Sequence, residues 1–270
     1  MIHKSFDTNT NALNPIIFCG AGPGDPDLIT VKVHQALATA DLVVYAGSLV
    51  PEALLKWTRP DCRHLSSAGL HLDEMVSTMA DAWQAGQKVV RLHTGDPSLY
   101  GAIFEQMAKL SHRNIPYTVI PGVTAAFAAA AALGVEYTLP EVSQTLILTR
   151  LSGRTPVPKS ESLASLATHR ATMAIYLSMS MVDEMTRILS TAYGSKGACA
   201  VVYRASQPDQ KILWTTTGEL AATVKKEKIT RTALVVVGRV LDVSLETLVH
   251  HSKLYDRHFA HGYREAKDQR

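Results

Sequence analysis

A short loop from Gly20 to Asp25 reads Gly-Ala-Gly-Pro-Gly-Asp, after the apolar run Ile16–Cys19 and before a helix-like segment that starts at Thr30. Glycines after a strand let the backbone come close to a ligand. A dinucleotide fingerprint needs a third glycine where Asp25 stands, and a P-loop needs a Lys-Ser/Thr pair after its last glycine. Asp25 and Asp27 would repel a polyphosphate. The loop therefore favours a nucleoside-like cofactor without phosphates.

Four other loops of small residues follow apolar runs in the same way. In an open α/β sheet, ligands bind beyond the carboxyl ends of the strands. We therefore expect the five loops to converge on one pocket, although each loop alone is also compatible with an ordinary turn. The other four loops span 45–51, 93–101, 121–125 and 177–181.

Apolar runs alternate with helix-like segments in the first half of the chain, which predicts a parallel sheet with covering helices. The predicted strands are Ile16–Cys19, Leu42–Tyr45, Val89–Leu92 and Tyr117–Ile120, and the predicted helices are Thr30–Ala40, Leu72–Ala85 and Ser98–Leu110.

The second half has more strands and fewer helices, which predicts a second α/β domain with partly antiparallel pairing. We place an N-terminal α/β domain at 15–135, a C-terminal α/β domain at 141–245 and a tail at 246–270, with the cofactor and substrate cleft between the two domains. The predicted strands are Thr145–Thr149, Met173–Leu177, Ala198–Tyr203, Lys211–Thr216 and Ala233–Val237, and the predicted helices are Met181–Tyr193 and Gly218–Lys226.

The composition is that of an ordinary globular protein, with 46% hydrophobic and 19% charged residues and a net charge of +3. This charge is too small to indicate nucleic acid, but it suits an anionic small substrate. The three cysteines lack C-x-x-C spacing, and no signal-peptide pattern is visible, so we expect a cytoplasmic protein. The run Val123–Val135 is too short to span a membrane and predicts a buried helix.

Four motifs in order resemble the tetrapyrrole methylases, S-adenosylmethionine-dependent enzymes that methylate uroporphyrinogen and the precorrins on the way to sirohaem and cobalamin. The resemblance covers about 16–239. Within the family, the segments 44–50, 139–144 and 149–156 look like the precorrin-4 C11-methyltransferases, with or without cobalt in the substrate. The four motifs are Gly20–Asp25, Gly95-Asp96-Pro97, Pro121–Ala125 and Thr232-Ala233-Leu234.

The resemblance implies a two-domain methylase fold of the class III methyltransferases that binds S-adenosylmethionine and releases S-adenosylhomocysteine. Asp96 has an alternative role as a helix cap, and Thr124 as a helix N-terminal residue. The implied cofactor-binding residues are Pro23, Gly95, Asp96, Leu99, Thr124, Ala125, Leu177, Ala205 and Ala233.

The resemblance also implies a substrate with several carboxylates, for which arginine is suited by bidentate hydrogen bonding. The proposed chemistry is an in-line attack of a ring carbon on the sulfonium methyl group, which needs positioning but no dedicated nucleophile. A base could help the proton loss that follows methylation without being essential, and the sequence does not identify one, so the catalytic residues stay unknown. We expect a homodimer, as is general in the family. The candidate substrate-binding residues are Tyr45, Ser48, Arg91, Arg150 and Arg154.

Three other functions are compatible with parts of the sequence. A sibling methylase would act at another ring carbon or on a protein, a carrier would bind the macrocycle without methyl transfer, and a dehydrogenase would use the first loop. The missing third glycine opposes the dehydrogenase. The spacing of His93, His250, His251, His258 and His261 supports no protein metal site, which leaves the His-rich tail as a solvated segment.

Overall fold

The computed structural model describes residues 14–47, 50, 52–244 and 252–265. These residues form two compact units: the chain up to Ala128 with Ser206–Pro208 forms the first, and Ala129–Ala205 with the chain from Asp209 forms the second. Each unit contains one five-stranded sheet with covering helices. Ser48 and the two histidines His250 and His251 lie outside the described residues.

The first sheet has the strand order β3-β2-β4-β1-β5, and every neighbouring pair is parallel. Parallel sheets are buried on both faces, which explains why their strands are continuous apolar runs. The elements of this unit are β1 Ile16–Gly20, α1 Val31–Ala38, β2 Leu42–Tyr45, β3 Arg63–Ser66, α2 Leu72–Gln84, β4 Val89–His93, α3 Ile103–His112 and β5 Tyr117–Ile120.

Two apolar clusters cover the two faces of this sheet. One joins Phe18 and Val44 to Met79 of α2, with Met107 of α3 packed against it. The other includes Leu37 of α1 and alternate residues of the same strands. The carboxyl ends of all five strands therefore lie at one edge, which these helices leave to the loops.

The second sheet has the strand order β6-β7-β10-β8-β9, in which β6 and β7 are parallel and the other pairs are antiparallel. The predicted mixed pairing is therefore confirmed. Helix α4 begins in the first unit and ends in the second. The elements from there on are α4 Ala125–Leu133, β6 Leu146–Arg150, α5 Leu163–Ala167, β7 Thr172–Tyr176, α6 Val182–Tyr193, β8 Ala198–Tyr203, β9 Lys211–Thr216, α7 Leu220–Lys226 and β10 Ala233–Val237.

Two helix predictions need correction. The helix predicted over Ser98–Leu110 begins only at Ile103, because Tyr100 and Ala102 both have left-handed backbone angles. The helix predicted to be buried within Val123–Val135 is α4, but Phe127 on it is 56% exposed. Because α4 consists mostly of alanine, its sequence has no polar face, and the exposed side of the helix cannot be told from the buried side.

Two kinds of feature are absent from the described residues. In that part of the chain, no helix is long and apolar enough to cross a membrane. Within the same described residues, no group of three or more His, Cys, Asp or Glu side chains is arranged to hold a metal ion.

Candidate active site

The loops after β1 and β4 are hydrogen-bonded to each other through their backbones. Gly22 and Gly95 exchange two bonds, at 3.2 Å from the Gly22 amide and 2.8 Å from the Gly95 amide. Ala21 also donates its amide to the carbonyl of His93 at 2.6 Å. The predicted convergence of these two loops is therefore confirmed.

The loop after β5 packs against the other two at glycine positions. A Cβ atom at Gly20 would lie 2.5 Å from the Cα of Gly122, and one at Gly122 would lie 2.2 Å from the carbonyl oxygen of Gly95. No side chain fits at these distances, because every neighbouring atom belongs to the backbone. We call Gly20, Gly95 and Gly122 the glycine junction.

Asp96 joins the second loop to the third through its side chain. One carboxylate oxygen accepts the amide of Ser98 at 2.8 Å, and the other accepts the amide of Gly122 at 2.9 Å. Asp96 is not the cap of α3, because that helix has Ala102 in the cap position. Both oxygens of Asp96 therefore hold the backbone of the loops.

The turn between Asp96 and α3 is strained. Tyr100 and Ala102 have φ values of +57° and +49°, and a Cβ atom at Gly101 would lie 2.1 Å from the carbonyl oxygen of Pro97. Left-handed non-glycine residues cost about 1–3 kcal/mol each and occur most often at functional sites. Leu99, a predicted cofactor residue, lies within this turn and is half-buried.

The first loop has a partner from a distant part of the sequence. Ser206 accepts the amide of Asp25 at 3.0 Å, and the side chain of Gln207 lies beside Gly24, where an added Cβ would be 2.3 Å from its Cγ. These residues belong to the same compact unit as the loop. Pro23, another predicted cofactor residue, is buried in that setting.

Arg91 and His93 lie inside the first unit. Only 5% of Arg91 and 3% of His93 is exposed. Burial lowers the pKa of Arg91 to about 10, so the guanidinium stays charged at neutral pH. Burial, and to a lesser degree the charge of Arg91, lowers the pKa of His93 to about 3, so this imidazole stays neutral. Its Nε2 atom is buried without a hydrogen-bond partner.

The predicted residues of the second unit lie along one edge of its sheet. Arg150 ends β6, and Leu177 follows the parallel strand β7. Because β10 is antiparallel to both β7 and β8, its first residue, Ala233, lies at the edge where β7 and β8 end. Ala205 follows β8 at this edge and is buried. Leu177 is 68% exposed and left-handed, with φ +53°.

Arg150 uses its guanidinium within its own loop. It donates to the carbonyls of Leu151 at 3.2 Å, Thr155 at 3.1 Å and Pro156 at 3.1 Å. Arg154 lies in the loop that these bonds close, and its side chain is exposed. Arg150 therefore shapes the loop that presents Arg154. This role was not predicted from the sequence. The two prolines of the loop are the signal for it, because a loop with prolines leaves backbone carbonyls without secondary-structure partners, and an arginine can bind them.

The remaining predicted residues lie at or beside the loop edge of the first unit. Thr124 is buried just before α4, Ala125 begins α4, and Tyr45 ends β2. The loops after β1 and β4 contain carboxylates, and none of the loops after β1, β4 and β5 contains a lysine or arginine. Loops with negative and no positive side chains fit a cofactor with a positively charged sulfonium and do not fit a polyphosphate.

Comparison with known proteins identifies the family. The family model of the Tetrapyrrole (Corrin/Porphyrin) Methylases matches residues 15–221. A "Cobalt-precorrin-4 C(11)-methyltransferase" of Methanocaldococcus jannaschii is 49% identical over 93% of this chain and 96% of its own length. A "Precorrin-4 C(11)-methyltransferase" of Pseudomonas aeruginosa is 49% identical over 84% of this chain and 90% of its own length.

Solved structures agree with this relationship. The X-ray structure of a cobalamin biosynthetic enzyme, cobalt precorrin-4 methyltransferase, matches with a TM-score of 0.82 and 45% identity, covering 85% of this chain and 96% of the other. A uroporphyrin-III C-methyl transferase of Thermus thermophilus complexed with S-adenyl homocysteine matches with a TM-score of 0.71 and 25% identity, covering 88% and 98%. With its two sheets, its glycine junction and these matches, the chain belongs to the tetrapyrrole methylase family.

Proposed function

We propose that this chain transfers a methyl group from S-adenosylmethionine to C11 of precorrin-4 or cobalt-precorrin-4 in cobalamin (vitamin B12) biosynthesis. The observation that carries the proposal is the 49% identity, over most of the chain, to relatives named for this reaction. One relative named for the cobalt form and one named without cobalt are each 49% identical to this chain. The proposal therefore covers both substrates.

We propose the cofactor-binding residues that the resemblance implies. Those of the first unit lie on the loops that the glycine junction and Asp96 hold together, and those of the second unit lie at one edge of its sheet. Bound S-adenosylmethionine supplies a methyl group activated by the sulfonium. The set comprises Pro23, Gly95, Asp96, Leu99, Thr124 and Ala125 in the first unit and Leu177, Ala205 and Ala233 in the second.

The contribution of the chain to the reaction is positioning. Fixing two reacting groups in an aligned pair can supply about 7–11 kcal/mol of the barrier. The backbones of the three loops are closely packed, because no Cβ atom fits at Gly20 or Gly122 and Asp96 cross-links two of the loops. No side chain of the chain needs to act as a nucleophile in a direct transfer.

For the substrate, we propose that Arg154 binds a carboxylate of the macrocycle and that Tyr45 contacts the ring. Arg154 is exposed and its loop is shaped by Arg150. A free guanidinium can form two parallel hydrogen bonds to one carboxylate. Arg91 is left out of this set, because its side chain is buried and bonded within the unit.

The experiment that tests the reaction is a mass-spectrometric assay with S-adenosylmethionine and either precorrin-4 or cobalt-precorrin-4. We expect a gain of one methyl group, located at C11, and the faster substrate assigns the natural form. A methyl group at another ring carbon would instead identify a sibling methylase. Macrocycle binding without methyl transfer would identify a carrier.

We also propose a homodimer in the cytoplasm. The family resemblance implies the dimer, and Phe104, 81% exposed, and Phe127, 56% exposed, are large apolar side chains of the first unit that a subunit contact would cover. Cys19, Cys62 and Cys199 are all free and buried, which suits a reducing compartment. Sedimentation equilibrium tests the dimer, with twice the chain mass of 29.3 kDa as the expected result, and cell fractionation tests the location.

A further inference from the structure

Arg91 occupies a position where an arginine is not expected. It is the middle residue of β4, the central strand of the first sheet. Its neighbours Val90 and Leu92 belong to the apolar cluster around Leu37 of α1, so Arg91 points to the other face of the sheet. Arginine is rarely buried this deeply unless a carboxylate pairs with it. Among the described residues, no carboxylate pairs with Arg91, and burial is the cause of its lowered pKa.

Two hydrogen bonds hold the Arg91 guanidinium. One goes to the carbonyl oxygen of Val44 near the end of β2, at 3.2 Å, and the other to Oε1 of Gln106 in the first turn of α3, at 3.2 Å. Gln106 is itself 3% exposed and donates its Nε2 to the carbonyl of Ala102 at 3.0 Å. The guanidinium thus connects the end of β2 to the strained turn after Asp96.

Packing alone does not explain an arginine at this position. An apolar side chain of similar length would fill the same space, and it would avoid the cost of burying a charge that has no ion-pair partner. The property that an apolar chain lacks is the rigid planar group that donates in two fixed directions. Its two acceptors lie on two different elements, β2 and α3.

We propose that Arg91 is a positioning residue: its guanidinium fixes the turn 97–102 relative to the end of β2 and thereby holds Asp96 and Leu99 in the arrangement that binds the cofactor. The inference rests on the proposed function only for the identity of that cofactor. Arg91 acts through the turn and has no contact with the macrocycle.

A matched pair of variants at Gln106 tests the connection. Gln106→Leu and Gln106→Glu both lose the donor to Ala102, but only glutamate keeps an acceptor for Arg91. We expect Gln106→Leu to bind S-adenosylhomocysteine about tenfold more weakly in calorimetry, the size of one lost charge-assisted hydrogen bond. Gln106→Glu should bind like the wild type. Equal losses in both variants would overturn the proposal, because they would assign the effect to the Ala102 bond.

Arg91→Met tests the residue itself. We expect the same loss of affinity as in Gln106→Leu and no further loss in the double variant. Arg113→Met, which removes an exposed charge at the other end of α3, is the control. Normal S-adenosylhomocysteine affinity with a raised KM for the macrocycle alone would mean direct substrate contact and would overturn the proposal. If Arg91→Met does not fold, the Gln106 pair decides.

Hydrogen exchange without any ligand separates this proposal from the proposed function. We expect peptides covering 97–106 to exchange about tenfold faster in Gln106→Leu than in Gln106→Glu and the wild type. Exchange equal to that of the wild type in Gln106→Leu would overturn the role of Arg91. A wild-type protein that binds no S-adenosylhomocysteine would instead refute the proposed cofactor, and the exchange result would still decide the role of Arg91.

Discussion

At the scale of single residues, Asp96 shows how one side chain can organise a site through the backbone. A carboxylate is an acceptor only, and both of its oxygens accept backbone amides, from Ser98 and from Gly122. Asparagine would replace one acceptor with an NH₂ donor that faces an amide. Charge and geometry are therefore both lost in Asp96→Asn.

We expect Asp96→Ala and Asp96→Asn to bind S-adenosylmethionine at least tenfold more weakly, as an unpaired amide costs about 1–3 kcal/mol. Calorimetry of folded variants is the measurement. Asp25→Asn is the matched control, because it removes the same charge from the first loop but keeps the local acceptor for the Asp27 amide. Unchanged affinity in Asp96→Asn would refute the proposed role of this residue.

Arg154 should affect only the substrate. We expect Arg154→Ala to raise the KM for the macrocycle about tenfold, the value of a bidentate pair that is partly exposed, without changing the affinity for S-adenosylmethionine. Steady-state kinetics with either precorrin form measures this difference. Lys159→Ala, an exposed cation further along the same loop region, is the control. A loss of cofactor affinity would place Arg154 elsewhere in the mechanism.

His93 should make the stability depend on pH. Its pKa is about 3 in the folded chain and 6.5 in its unperturbed state, so the unfolded chain binds one more proton between these values. Stability from this site is fully present above pH 6.5 and falls as the pH falls towards 3. Between pH 6.5 and 5, the loss is about 2 kcal/mol at most.

Denaturant unfolding at several pH values checks this prediction. We expect His93→Leu to lose less stability than the wild type when the pH falls from 6.5 to 5. His112→Leu, at an exposed position in the same unit, serves as the control. Parallel curves for the wild type and His93→Leu would show that His93 is not the group responsible.

At the scale of elements, the glycine junction allows the loops after β1, β4 and β5 to pack with their backbones in contact. We expect Gly122→Ala to lower the free energy of unfolding by about 3 kcal/mol, since its Cβ meets a backbone oxygen that has no room to move. Gly69→Ala is the control, because nothing lies within 4 Å of its Cβ position. Chemical denaturation compares the two, and equal stability would refute the close approach.

The sequence predicts the elements that carry apolar runs and misses those that do not. The four predicted strands of the first sheet are present, but β3 is not predictable from Arg-His-Leu-Ser, because an edge strand needs no apolar pattern. Likewise, the helix predicted to begin at Ser98 begins only at Ile103, because the backbones of Tyr100 and Ala102 are left-handed. Tertiary contacts override local preference at both places.

The candidate site was predictable to a similar degree. Glycine loops after parallel strands indicate convergence, and the hydrogen bonds between Gly22 and Gly95 confirm it for the loops after β1 and β4. The burial of Arg91 was not predictable, because arginine is ordinarily a surface residue. The hydrogen bond from the Gly122 amide to Asp96 was not predictable either. It depends on β4 and β5 lying on either side of β1, and the sequences of the two loops do not give the strand order.

At the scale of the whole molecule, the proposed cofactor residues come from both units. We expect S-adenosylhomocysteine to slow hydrogen exchange in 20–25, 93–101 and 121–125 of the first unit and around Leu177, Ala205 and Ala233 of the second. At a hundred times its Kd, the ligand should stabilise the fold by about 2.7 kcal/mol. Protection confined to the first unit would refute the assignments in the second, and an inert nucleoside such as cytidine is the control.

The partnership between Asp25 and Ser206 also bears on how the protein is made. All of the first unit except Ser206–Pro208 has been synthesised once Ala128 has been added to the nascent chain. Domains usually fold as they emerge from the ribosome. The Gly20–Asp25 loop therefore lacks its Ser206 partner until β6, β7 and β8 have been translated, which are three of the five strands of the second sheet.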